Sequence, residues 1–124
     1  MPHTADRRAR LSIDVSTTTR RRVRLDKKGV KQRPGLLVSS ARYHRGRREA
    51  ILAAITSQVG RSRVGDHRLT QWKEAGLPLP STVTGIIRTI KQDMIIRKIG
   101  ALPPEELATV EAALRVSLAL VEAN

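Results

Sequence analysis

The 124-residue sequence has no cysteine and no phenylalanine, and Tyr43 and Trp72 are its only Tyr and Trp residues. Without cysteine the chain forms no disulfide, thiolate nucleophile or sulfur-ligated zinc site, which is typical of a reducing compartment. We therefore expect a cytoplasmic protein. RNA-binding sheets that stack successive bases need several aromatic rings, so these folds are disfavoured. Backbone groups, arginine planes and hydrogen bonds would have to recognise any nucleic acid.

Long hydrophobic runs are also missing. The longest stretch without a charged residue, 75–87, contains two prolines. It is well short of the roughly 20 apolar residues that a membrane helix needs. The first residues, MPHTADRRARLSI, lack the apolar run of a signal peptide. We expect no membrane partner.

Acidic residues are scarce: 11 Asp and Glu stand against 24 Lys and Arg, for a net charge of +13. Residues 1–48 carry 15 of the basic residues and only three of the acidic ones. Such a charge block attracts polyanions, so a nucleic acid or an acidic protein is the leading class of partner. The alternative is a solvated basic arm that binds RNA without a specific role.

Length and apolar content together predict one domain with one modest core, because hydrophobic residues make up 40% of the chain. We expect residues 1–10 to form a flexible basic arm and residues 11–124 to form the domain.

Apolar patterning predicts several short strands. Alternation predicts a strand at Leu11–Ser16, and a hairpin with residues 22–25 followed by a turn at 26–29 remains open. Apolar or β-branched runs predict further strands at 35–39, 50–56, 81–87 and 97–102. The connecting segments are interpreted as a basic loop at 43–48, a long excursion at 57–80 with one short strand near 66–70, and a helical turn at 91–96.

The C-terminus predicts an amphipathic helix. Pro104 suits the first helical position, and Glu105 and Glu106 suit the first turn, where they complement the helix dipole. One apolar face is expected from Leu107, Val110, Leu114, Leu118 and Val121. The fold class is therefore α+β, mainly β: a small barrel or curled sheet closed by this helix.

Four motifs follow one another along the chain: KQRPGLLVS at 31–39, AAITS at 53–57, IRTI at 87–90 and IRKIGAL at 96–102. Each motif alone is weak, but their succession is specific. Over roughly residues 26–121 the sequence resembles the MazF/PemK/Kid family of toxins from bacterial toxin–antitoxin pairs.

This resemblance implies an SH3-like barrel that forms a homodimer and cleaves single-stranded RNA without a metal or cofactor, thereby inhibiting translation and growth. It also implies an acidic, partly disordered antitoxin that lies across the RNA groove. By similarity, the arginine of the RP motif corresponds to Arg33 and the threonine of the IT motif to Thr56, with Ser57 adjacent. Arg33 and Thr56 are the expected catalytic residues.

RNA cleavage without a metal uses the 2′-hydroxyl as nucleophile, and it needs a proton acceptor, a proton donor and fixed positive charge. Arg33 can supply the charge, because a guanidinium stays protonated and binds phosphate oxygens in pairs. Taken alone, Arg33 also fits a surface arginine and Thr56 an ordinary strand residue. Asp26, His44 and His67 are the possible acids and bases, although both histidines also fit exposed loop positions.

The remaining expected RNA contacts are polar or basic side chains in or beside these motifs and in the loops 41–49 and 57–80. They are Lys31, Arg42, Arg45, Ser57, Arg61, Arg63 and Arg88. The three histidines have no ligand-like spacing, so we expect no metal site.

Two departures from the family pattern bear on activity. Residues 1–25 lack the Gly-Asp-hydrophobic strand with which members of the family usually begin. Leu11–Ser16 is the best substitute for it. One hypothesis is that this segment has diverged or is read in another frame. Several relatives carry an acid in the strand before the RT motif, where this chain has Gly85 and no carboxylate between Glu74 and Asp93. The alternatives are thus an impaired toxin, a basic RNA- or antitoxin-binding module, or a gyrase-directed toxin.

Overall fold

The computed structural model describes residues 11–16, 32–58 and 60–120. The expected arm at 1–10, the hairpin strand at 22–25 and the turn at 26–29 lie outside these residues. The described strands are β1 (Leu11–Ser16), β2 (Gln32–Leu37), β3 (Glu49–Thr56), β4 (His67–Arg68), β5 (Thr82–Lys91) and β6 (Ile95–Ala101). The described helices are α1 (Ala41–Gly46) and α2 (Pro104–Ser117), and neither is long and apolar enough to cross a membrane.

The strands form one sheet in the order β4-β5-β3-β2-β1-β6, and each neighbouring pair is antiparallel. The strands predicted at 11–16, 50–56 and 81–87 are confirmed, as is the short strand near 66–70. The strand predicted at 35–39 lies at 32–37, and the one predicted at 97–102 lies at 95–101. A mainly antiparallel sheet followed by a C-terminal helix confirms the predicted α+β, mainly β class.

The central strands carry apolar residues on both faces of the sheet. On the first, which we call the helix face, buried side chains pack against Leu107 and Val110 of α2. These side chains are Leu36, Ala53, Ile55 and Val83. On the other, which we call the opposite face, Leu52 packs with Leu37, Ile90, Met94 and Ile95. Alternation along each strand therefore decides which residues face α2.

The predicted basic loop at 43–48 is wrong over residues 43–46, because α1 occupies residues 41–46. The Ser40 side chain caps this helix by accepting a hydrogen bond of 3.1 Å from the Tyr43 N–H. No residue of α1 is buried, so the segment has no apolar periodicity from which a helix could be predicted.

β5 continues to Lys91, beyond the predicted end at Ile87, and the helical turn shortens to a 3₁₀ turn at Gln92–Met94. The side-chain amide of Gln92 donates to the carbonyl oxygens of His44, Arg47 and Glu49, at 3.1, 2.8 and 2.9 Å. This amide fastens the β5–β6 connection to the segment between α1 and β3.

The C-terminal helix is confirmed, but it ends at Ser117, so the prediction that Leu118 continues its apolar face is wrong. The Leu120 N–H donates to the Arg115 carbonyl and the Ala119 N–H to the Val116 carbonyl, with Ala119 at a φ of 58°. This is a Schellman ending, which reverses the chain and leaves Leu118 half exposed. Val121 lies outside the described residues.

Gly100 in the IRKIGAL motif allows a close backbone contact between β6 and the loop before β5. A Cβ on Gly100 would lie 2.3 Å from the Ala75 carbonyl oxygen, and a Cβ on Gly76 would lie 1.9 Å from that of Ile99. Gly76 also has a φ of 88°, which disfavours other residues. Both glycines are therefore required by packing.

Candidate functional site

Arg33 and Thr56 lie at the same end of two neighbouring strands. β2 and β3 pair with Gly35 opposite Ala54 and Leu37 opposite Leu52. The paired register ends at Gly35 and Ala54, and Arg33 and Thr56 are each two residues beyond this pair on their own strands. Residues at matching positions of neighbouring strands share a face. Because Leu36 and Ile55 point to the helix face, alternation directs Arg33 and Thr56 to the opposite face.

The two side chains are chemically available. Arg33 is exposed and has no ion pair with a carboxylate among residues 32–58 and 60–120. Thr56 is half-buried, and its Oγ1 accepts a hydrogen bond of 3.0 Å from the Gln58 N–H. A hydroxyl has one proton and two lone pairs, so this contact orients the oxygen and leaves the proton free for another acceptor. Ser57 follows and is exposed.

The alignment continues across two further strands. Thr56 of β3 is opposite Thr82 of β5, and Thr82 is opposite Arg68 of β4. Arg33, Thr56, Thr82 and Arg68 thus form what we call the cross-strand row. Thr82 is almost fully buried, whereas Arg68 is exposed. Arg68 and Thr82 could not be found from the sequence, because only the strand register shows that they are aligned with Thr56.

A carboxylate lies beside Gly85, although from another part of the chain. The Asp66 Oδ1 accepts a hydrogen bond of 3.0 Å from the Gly85 N–H, and its Oδ2 accepts one of 3.0 Å from the Arg63 N–H. A Cβ on Gly85 would lie 2.9 Å from the Val64 carbonyl oxygen. The loop before β4 therefore occupies the space that a side chain at position 85 would need.

His67 is directed toward α2. Its Nε2 lies 2.7 Å from Oε2 of Glu106, a carboxylate that is almost fully buried. Glu106 also accepts hydrogen bonds from the Thr70 N–H at 3.0 Å and the Gln71 N–H at 2.8 Å. Burial alone would raise the pKa of Glu106, but the hydrogen bonds from Thr70, His67 and Gln71 together hold that pKa below its ordinary value. His67 therefore belongs to the helix face, away from Arg33 and Thr56.

His44 lies at the far end of β2 and β3, in α1 with Arg42 and Arg45. Its Nε2 is 2.6 Å from the Ser39 Oγ, which accepts a hydrogen bond of 2.9 Å from the Ile51 N–H. The end of β2 is about 13 Å from Arg33 at the usual rise of about 3.3 Å per residue. The structure thus separates these three residues from the Arg33–Thr56 pair.

The remaining expected contacts lie at different distances from this pair. Arg61 and Arg63 are exposed in the loop that follows Thr56. Arg88 is exposed and opposite Leu52, about 13 Å along the strand from the row. Asp26 and Lys31 lie outside the described residues. No cluster of three or more His, Asp or Glu residues that could hold a metal ion occurs in the described part of the chain.

The chain is similar to toxins of bacterial toxin–antitoxin systems. Residues 12–118 match the PemK-like, MazF-like toxin of type II toxin–antitoxin systems. Endoribonuclease EndoA of Bacillus subtilis is 33% identical over 91 residues, which cover 73% of this chain and 78% of that protein. The family match begins at residue 12, so it includes β1, which the motif resemblance from about residue 26 had left out.

Solved structures show the same fold. The Mycobacterium tuberculosis toxin MazF-mt6 superposes with a TM-score of 0.69 at 22% identity, covering 91% of this chain and 100% of that one. An endoribonuclease in complex with its cognate antitoxin, from a mycobacterial species, also gives 0.69, at 15% identity and with 91% and 95% covered. The predicted SH3-like barrel-type fold with a C-terminal helix is confirmed by these matches.

Proposed function

The chain belongs to the PemK-like, MazF-like toxin family of type II toxin–antitoxin systems, and from this membership we propose that it is a metal-independent endoribonuclease. Its substrate is single-stranded RNA, including mRNA, whose cleavage in the cytoplasm stops translation and growth. The observation that carries the proposal is that Arg33 and Thr56 lie on one face of the sheet at the same end of β2 and β3.

In the proposed reaction the 2′-oxygen of a ribose attacks the adjacent phosphorus and the P–O5′ bond breaks. The products are a 2′,3′-cyclic phosphate and a free 5′-hydroxyl. Negative charge builds on the non-bridging oxygens, where the Arg33 guanidinium stabilises it more strongly than in the ground state. The Thr56 hydroxyl donates its proton to one of these oxygens. The Gln58 N–H, which donates to a lone pair of the same hydroxyl, leaves that proton available.

One proton must leave the 2′-hydroxyl and one must reach O5′. His67 is bound to Glu106 on the helix face, and His44 is bound to Ser39 at the far end of the strands. Of the three acid–base candidates, we therefore favour Asp26, seven residues before Arg33, as the acceptor, and the proton that O5′ gains comes from solvent water.

The basic surface supports an acidic partner as well as RNA. The net charge of +13 would attract the acidic antitoxin that such toxins are paired with, and a structural relative is solved with its cognate antitoxin. We propose that an acidic antitoxin inhibits this chain by lying across the RNA groove. We also propose that the chain acts as a homodimer.

A second candidate is a catalytically impaired toxin that still binds RNA or antitoxin. It is favoured by Gly85, which replaces the acid of several relatives, and by Asp66, whose two oxygens are both held by backbone N–H groups. Position 85 then has no carboxylate, and the Asp66 carboxylate is hydrogen-bonded through both oxygens, so neither is a free base.

Purified protein incubated with single-stranded RNA in excess chelator distinguishes these functions. We expect fragments that end in 2′,3′-cyclic phosphate, because the proposed reaction uses the substrate's own hydroxyl as nucleophile. The measurement is end-group analysis of the fragments by mass spectrometry. Salt-sensitive RNA binding without fragments would establish the impaired toxin instead, and inhibition of gyrase supercoiling without RNA cleavage would establish the gyrase-directed alternative.

A further inference from the structure

We propose that Arg68 forms a second phosphate subsite, so that the cross-strand row holds two phosphates of one RNA strand. This inference rests on the proposed function, because it places the reacting phosphate at Arg33 and Thr56. Arg68 would then hold a neighbouring, non-reacting phosphate and fix the position of the strand across β3 and β5.

The direction of the Arg68 side chain follows from the directions of the residues before and after it, His67 and Leu69. His67 contacts Glu106 of α2, and Leu69 is buried in the core that α2 covers. Residues on either side of Arg68 thus point to the helix face, and alternation directs Arg68 to the opposite face. Arg33 and Thr56 lie on that same face.

The spacing of the row suits two phosphates better than one. Arg33 and Arg68 are on strands separated by β3 and β5, which puts their backbones about 14 Å apart at about 4.8 Å per strand. Thr82, nearly buried between them, forms the floor of the row. Two guanidinium groups at the ends of such a floor can each bind a separate phosphate.

The charge of Arg68 is not neutralised by the nearby acids. Arg68 is exposed and has no ion pair with a carboxylate among residues 32–58 and 60–120. Asp66, two residues before Arg68, is bound to the backbone of Arg63 and Gly85, and Glu106, which contacts the neighbouring His67, is also bound to the 70–71 backbone. Arg68 is thus a cation with no carboxylate partner in the described part of the chain, and its place beside the proposed catalytic pair favours a polyanion that reaches both.

Binding a non-reacting phosphate stabilises the ground state and the transition state equally. Loss of Arg68 should therefore raise KM and leave kcat nearly unchanged, whereas loss of Arg33 should lower kcat. A merely structural role for Arg68 would lower thermal stability without this separation.

The test compares Arg68→Ala with Arg115→Ala, an exposed arginine in the last turn of α2. With a short single-stranded RNA, we expect Arg68→Ala to raise KM about 10-fold, to change kcat less than about twofold, and to reduce the slope of log affinity against log salt by about one. Arg115→Ala should match wild type in all three quantities. Equal melting temperatures establish that both variants fold.

Affinity for a 2′-deoxy analogue of the same RNA, which lacks the nucleophile, is measured in parallel. Weaker binding of this analogue by Arg68→Ala supports the subsite even if the wild-type protein cleaves no RNA. The binding measurement therefore distinguishes failure of the subsite from failure of the proposed function. Unchanged affinity and salt slope would overturn the subsite. So would a variant that binds RNA normally but loses affinity for an acidic peptide, because Arg68 would then contact a protein partner.

Discussion

Replacement of Arg33 by alanine is expected to lower kcat for cleavage of single-stranded RNA by about 10²- to 10³-fold, the usual loss when one preorganised donor to a developing oxyanion is removed. The effect falls on kcat because charge on the non-bridging oxygens grows as the 2′-oxygen attacks. Single-turnover kinetics at saturating RNA measure the chemical step directly.

Arg33→Lys provides the matched variant, since it keeps the charge but loses the paired N–H groups. We expect it to recover part of the lost rate. Both variants should have the melting temperature of wild type, because the Arg33 side chain is exposed and is not part of a buried cluster. Full activity in Arg33→Ala would show that the guanidinium does not act on the reacting phosphate.

The buried Glu106 carboxylate gives the second large effect. Glu106→Ala is expected to lower the free energy of unfolding by about 3–5 kcal/mol, because it leaves His67 and the Thr70 and Gln71 N–H groups without their acceptor. Its neighbour Glu105 is exposed in the same helical turn, and Glu105→Ala should cost less than about 0.5 kcal/mol. Urea denaturation of the three proteins measures these differences.

The same carboxylate makes stability depend on pH. Since the folded pKa of Glu106 is below its ordinary value of 4.5, its stabilising contribution is complete above about that pH and is lost as the pH falls through the folded pKa. We therefore expect the deficit of Glu106→Gln relative to wild type to shrink in acid. A deficit that stays constant down to pH 3 would contradict this assignment.

Sequence patterns predicted those parts of the molecule whose determinants are local. Pro104 and Glu105 marked the start of α2, and alternation or apolar runs marked the central strands. Arg33 and Thr56 are predicted as site residues from their motifs, which lie within short segments. The short α1 helix was missed because it buries no side chain, and its cap at Ser40 stands among polar residues that also suit a loop.

Pairings between distant residues could not be predicted from one sequence. His67 and Glu106 are 39 positions apart, and nothing local indicates that an exposed-looking histidine meets a buried helical carboxylate. The alignment of Arg68 with Thr82 likewise depends on the register of β4 and β5. The same limit applies to Asp66, which approaches Gly85 only because the β5 backbone lacks a side chain there.

A double-mutant cycle on Arg33→Ala and Thr56→Ala tests most directly whether the two side chains act on one phosphate. Rate constants for RNA cleavage are measured for wild type, both single variants and the double variant. If both groups stabilise the same developing charge, the double variant should lose little more than the worse single variant, with a coupling free energy above about 1 kcal/mol. Losses that add to within about 0.5 kcal/mol would contradict a shared site.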